Sequence, residues 1–136
     1  MKTSHTALVV TAGLILVLAA CSTTPSSTTI TGTLTDYKIT LSATSAPAGS
    51  VTFNVTNGGT IVHEFVILKT EVLAKDLPLV GDGVDEDAYN AIGEVAETDA
   101  SKSGTFTATL AAGHYAIICN IPGHVSLGMV TDFTVN

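Results

Sequence analysis

The chain has 136 residues, a length that one domain accounts for. Its formal net charge is −7 and all five of its basic residues are lysines. A chain this acidic and without arginine has nothing to neutralise a row of phosphates, which excludes nucleic-acid binding.

Residues 1–20 have the layout of a bacterial export signal. Lys2 is followed by an apolar run from Ala7 to Ala20, interrupted only by Thr11 and Gly13. That run falls short of the ~20 apolar residues a membrane span requires. Leu18-Ala19-Ala20-Cys21 is similar to a lipobox, in which Cys21 takes a diacylglyceride and becomes the first residue after cleavage. The expectation is an exported protein, lipid-anchored at the outer face of the cell membrane or in the periplasm, and one charge more negative once Lys2 is lost. The alternative is an ordinary secretory signal with an incidental cysteine. Only Cys21 and Cys119 exist, so lipidation of the first rules out a disulfide. An exported domain with one unpaired thiol is unusual, and coordination to a metal is a physical way to keep it.

Residues 21–29 are small and polar, the composition of a flexible tether. A domain over 30–136 follows. Ile30 to Leu34 reads as a strand, and Tyr37, Ile39 and Leu41 continue on the opposite parity, which a bulge near Thr35 or Asp36 would explain. After the turn cluster Ser42 to Gly49, Val51, Phe53 and Val55 alternate with polar residues, and Asn57-Gly58-Gly59 turns the chain again. Ile61, His63, Phe65 and Ile67 then share a face that reads as core-facing.

Between Leu68 and Ser101 the alternation fails. Over Val84 to Ala96, Ala88, Ile92 and Val95 lie roughly on one side of a helix, and Asp85, Glu86 and Asp87 stand where a helix start favours negative charge. A long connection with one short helix is expected. Its stretch from Asp82 to Asp99 holds Asp82, Asp85, Glu86, Asp87, Glu94, Glu97 and Asp99 without a lysine, a surface for a basic partner or simply a solvated loop. Phe106, Ala108 and Leu110 restore the strand pattern. Two core-facing sets follow: Tyr115, Ile117 and Cys119, then Met129, Thr131, Phe133 and Val135. Short strands separated by turns predict an all-β antiparallel sandwich of about seven or eight strands.

Cys119, His124 and Met129 come in order within one stretch, with His63 available from a distant strand. A thiolate, two imidazoles and a weak thioether suit one mononuclear copper ion. Pro122-Gly123 would turn the loop between Cys119 and His124. Taken singly, each of these residues has a duller reading as core filling or as an exposed loop histidine. Their order and their shared inward parities are what favour a metal site. His114, on the opposite parity to Cys119, is expected to face solvent.

The run Gly113-His-Tyr115-Ala-Ile-Ile-Cys119-Asn-Ile-Pro-Gly-His124, then Gly128-Met129, with His63-Glu-Phe65 upstream, resembles the cupredoxins, the small blue-copper electron carriers related to plastocyanin, azurin and auracyanin. The resemblance spans Ile30 to Asn136. It implies a Greek-key β-sandwich and a type 1 copper site, with His63, Cys119 and His124 equatorial and Met129 axial. Many cupredoxins have Asn after the upstream histidine, hydrogen-bonding the cysteine sulfur. Here that position is Glu64, whose carboxylate cannot donate.

The resulting expectation is a membrane-anchored electron carrier, not an enzyme, acting as a monomer. Its partner would be a redox protein such as a cytochrome or a respiratory or photosynthetic complex. Ile121, Pro122, Val125 and Leu127 would form the docking patch around His124. The rival functions are copper storage or delivery, and a metal-free scaffold.

Overall fold

Val51, Phe53 and Val55 point one way and Thr52, Asn54 and Thr56 the other, so the segment is apolar on one face and becomes a strand packed on one side. In the computed structural model, which describes residues 27–136, nine strands repeat this logic in two sheets. They are β1 (Ser27–Thr35), β2 (Lys38–Leu41), β3 (Ser45–Ala46), β4 (Gly49–Asn57), β5 (His63–Lys69), β6 (Ala91–Thr98), β7 (Ser103–Leu110), β8 (Gly113–Ile118) and β9 (Val130–Val135). One sheet has the order β2-β1-β4-β7 and the other β3-β9-β8-β5-β6. The proposed export signal, Cys21 and the first residues of the tether lie outside the described residues.

The inward faces meet in one core. Ile30, Leu34, Val51, Phe53 and Val55 come from the first sheet, and Phe65, Ile67, Tyr115, Ile117, Phe133 and Val135 from the second. The Phe53 ring lies 5.5 Å from that of Phe65 and 5.4 Å from that of Phe133. Burying each ring contributes about 1.5–3 kcal/mol, more than the ~1 kcal/mol of a typical net hydrogen bond, so the three rings are a main hold between the sheets.

The alternation is lost where a strand is covered on both faces. Val66, Leu68, Ala116 and Ile118 point out of the sandwich, and Ala74, Leu77 and Val84 of the long connection cover them as a second, smaller core. The connection carries two 3-10 turns, Ala74–Asp76 and Asp87–Tyr89, and among the described residues there is no α-helix.

The expected helix over Val84 to Ala96 is therefore replaced by β6. Phe65, Val66 and Ile67 of β5 pair with Val95, Glu94 and Gly93. A helix there would leave that side of the buried β5 without partners for its backbone groups. Of the three residues read as the helix face only Val95 is buried. Gly93 sits at φ 153, and a side chain there would run into the Phe106 ring.

Other readings change too. The parity switch near Thr35 is a hairpin turn, not a bulge, since Thr35 pairs with Lys38 around Asp36 and Tyr37. β1 begins at Ser27, so it takes up the last residues of the stretch read as tether. The sandwich is also not wholly antiparallel: β1 runs parallel to β4 and β3 parallel to β9. Between β1 and β4 the chain turns back through β2 and visits the edge of the other sheet as β3, so it returns in its original direction.

Candidate metal centre

Cys119 lies one residue beyond the end of β8, and the ten residues that follow form a tight loop back to β9. Its backbone dictates that shape. His124 N–H donates to Ile121 O at 2.9 Å around Pro122 and Gly123, with Gly123 at φ 84. Proline followed by a left-handed glycine is the sequence of a type II turn, so the turn expected at Pro122-Gly123 is present and of this type. Gly128, at φ 91, donates to Val125 O at 2.9 Å. Met129 N–H then reaches His124 O and Cys119 N–H reaches Met129 O, each at 3.0 Å. The three residues are thus tied through their own backbones.

His63 enters from the first position of β5. His63, Cys119 and Met129 are fully buried, and His124 nearly so. The ligand atoms of His63, Cys119 and His124 lie within 4.8 Å of one another. Cys119 Sγ is 3.2 Å from His124 Nδ1 and 3.9 Å from His63 Nδ1, and the two Nδ1 atoms are 3.3 Å apart. Soft sulfur and two imidazole nitrogens converging in a buried pocket, with a buried thioether on the same loop, fit a type 1 copper ion.

Burial sets the electrostatics. It raises the Cys119 thiol above its usual range, opposed by N–H donors of Glu64 and Ile121. Copper must therefore displace a proton on binding. Burial, then the neighbouring His63, keeps His124 below the usual imidazole value, so it stands neutral and ready to coordinate. The backbone of Glu64 donates to Cys119 Sγ at 3.4 Å, so the sulfur has its hydrogen bond despite the missing asparagine. The half-buried Glu64 carboxyl is pushed up to about 7, by burial and then by Glu86 and Glu94.

Three supporting residues escaped the sequence reading. Asp36, in the β1–β2 turn, faces His63 Nε2 at 3.2 Å and accepts from Thr60 N–H at 2.8 Å and Thr60 Oγ1–H at 2.6 Å. Those two bonds and His63 hold its carboxyl down at about 2. Asn57 is fully buried and donates to Ile61 O and Thr98 O at 2.8 and 2.7 Å, while its Oδ1 accepts from Gly59 N–H at 2.9 Å. Asn120 clips the ligand loop to the acidic connection, accepting from Val84 N–H at 2.7 Å and donating to Val84 O and Glu86 Oε1 at 2.9 and 2.8 Å. Only Asn57 carried a signal, its place in a turn sequence.

Ile61, expected to face the core, is 40% exposed, because it lies before β5 in the loop that Asn57 shapes. His114 does not simply face solvent. It is half-buried, with Nδ1 2.6 Å from Thr70 O and Nε2 2.9 Å from Asp132 Oδ1, a clamp between the connection and β9. Of the proposed docking patch, Leu127 is 58% exposed, Pro122 is exposed, and Ile121 and Val125 are half-buried. The Tyr37 ring stands edge-on to the His124 ring at 5.4 Å and is itself 41% exposed.

A two-sheet sandwich holding His63, Cys119, His124 and Met129 in this arrangement is a cupredoxin with a type 1 copper site. Within that class, the sulfocyanin (SoxE) domain family model matches residues 9–136, and the chain belongs to that family. No curated protein matches it. Among solved structures, dithionite-reduced auracyanin from Roseiflexus castenholzii is 22% identical, over 81% of this chain and 96% of its own, with a TM-score of 0.58. Rusticyanin from Thiobacillus ferrooxidans is 18% identical over 79% of this chain and 77% of its own, with a TM-score of 0.62. Auracyanin A from Chloroflexus aurantiacus, a blue copper protein, is 22% identical over 82% of this chain and all of its own, with a TM-score of 0.56. These likenesses bear on the fold.

Proposed function

We propose that the protein is a one-electron carrier, lipid-anchored through Cys21 at the outer face of the cell membrane or in the periplasm, and acting as a monomer. The observation that carries the reading is the buried convergence of His63, Cys119 and His124 in a chain of the sulfocyanin family. When bound, copper supplies a Cu(II)/Cu(I) couple that changes by one electron with no bond made or broken in a partner.

The chain's residues do the rest. Cys119, held by Glu64 N–H, provides the thiolate, and the two imidazoles face it through Nδ1. The sheets exclude water, and the hydrogen-bonded ligand loop resists rearrangement between oxidation states. Ile121, Pro122, Val125 and Leu127 border His124 as a docking patch. The acidic connection, tied to the ligand loop through Asn120, favours a basic redox partner such as a cytochrome or a respiratory or photosynthetic complex. Copper storage or delivery would call for an exchangeable site, and full burial of His63, Cys119 and Met129 argues against easy exchange.

The test is to load the purified protein with Cu(II) and record visible absorption and paramagnetic resonance before and after a mild reductant. An intense thiolate-to-copper band that bleaches and returns on reoxidation supports the carrier. Copper that binds without that band, or leaves readily to a chelator, argues against it.

A further inference from the structure

His63 must present one particular nitrogen inward. Its Nδ1 faces Cys119 Sγ and His124 Nδ1, so a proton on that atom would block coordination. A neutral imidazole carries its proton on either nitrogen, and the hydrogen bond made by the other one decides. The structure assigns Asp36 as the positioning residue for His63, holding the proton on Nε2 so that Nδ1 is free for the metal. This inference rests on the copper-site reading given above.

Several independent features converge on the pair. Asp36 Oδ1 stands 3.2 Å from Nε2 of the fully buried His63. The carboxylate is itself fixed, since Thr60 grips both of its oxygens. Thr60 belongs to the loop that Asn57 shapes through Gly59 N–H and Ile61 O. Gly59 lies against the contact: a Cβ there would run into Asp36 Oδ1 and come within 2.9 Å of His63 Nε2. The turn of one sheet thus reaches the first residue of a strand in the other, by way of a glycine that leaves the space clear.

An anionic acceptor does more than choose the tautomer. It makes the imidazole a stronger donor and favours the more highly charged Cu(II) over Cu(I). Replacing such a partner typically costs about 10–100-fold in metal affinity. Each tenfold loss confined to Cu(II) raises a one-electron potential by about 59 mV.

The test starts with the wild-type protein, copper-free and then Cu(I)-loaded, both diamagnetic. Nitrogen NMR of His63 should find the proton on Nε2 and not on Nδ1, and a bare Nε2 would overturn the proposal whatever any variant does. In copper-free Asp36→Ala a population with the proton on Nδ1 should appear. Cu(II) affinity should fall at least about tenfold and the potential should rise. Asp36→Asn, whose amide oxygen can still accept, should restore the tautomer but leave the potential high. If folded Asp36→Ala keeps the wild-type tautomer and potential, Asp36 is only a turn residue. The NMR readout needs no copper, so its failure is separable from failure of the carrier reading, which the absorption band tests.

Discussion

The amide of Glu64 donates to Sγ of Cys119 at 3.4 Å, which makes residue 64 a partner of the sulfur through its backbone rather than its side chain. That side chain is half-buried beside Glu86 and Glu94, with its carboxyl raised to about 7 from an ordinary 4.5. In the copper-free protein the folded state keeps a proton that the unfolded chain has already released. Glu64's contribution to stability should therefore be full below about 4.5 and be lost as pH rises through about 7. Glu64→Gln should remove that part of the slope, as read by urea unfolding of both proteins across the window. Equal slopes would mean Glu64 titrates normally.

Cys119→Ser keeps nearly the same shape in the core but replaces the thiolate donor. The variant should fold, by circular dichroism, and show no intense visible band with Cu(II). Retention of the band would remove Cys119 from the ligand set.

Asn57 is buried with both side-chain polar atoms bonded to backbone. Asn57→Ala orphans the carbonyls of Ile61 and Thr98 and the amide of Gly59. Unsatisfied buried groups cost about 1–3 kcal/mol each, and partial access of water to the loop should hold the total near 3 kcal/mol. Chemical denaturation measures it, and a loss below about 1 kcal/mol would show that the loop holds its shape without Asn57.

Gly58 and Gly59 are neighbours with opposite sensitivities. A Cβ at Gly58 meets nothing closer than 3.6 Å, whereas one at Gly59 meets Asp36 and His63. Gly58→Ala should bind copper like the wild type. Gly59→Ala should bind it at least about tenfold more weakly, the range expected when a ligand's supporting contact is disturbed. Competition with a chelator reads both, and equal affinities would mean that the loop yields without moving His63.

The ligands were legible because three of them sit in one turn-rich stretch, and strand parity turned His63 inward. What supports them was not. Asp36 lies 27 residues before His63, and nothing local marks a carboxylate that a fold will bring to a ring nitrogen. The Val84–Ala96 segment misled for a different reason. Ala88, Ile92 and Val95 satisfy helical spacing, while the demand that overrode it, an unpaired side of β5, resides in another strand. Continuous burial of Phe65 to Leu68 has the same origin, since the outer cover comes from the connection itself.

The turn between β1 and β2 consists of Asp36 and Tyr37, and it touches both ligand histidines: Asp36 meets His63, and Tyr37, at φ 64, stands its ring edge-on to His124. Hairpin loops are ordinarily where a chain accepts insertions and changes of length. Here one added residue would pull the carboxylate from one imidazole and the phenol from the other in the same stroke. Relatives that keep these two contacts must therefore keep this turn at two residues, and alignment gaps should gather elsewhere on the surface.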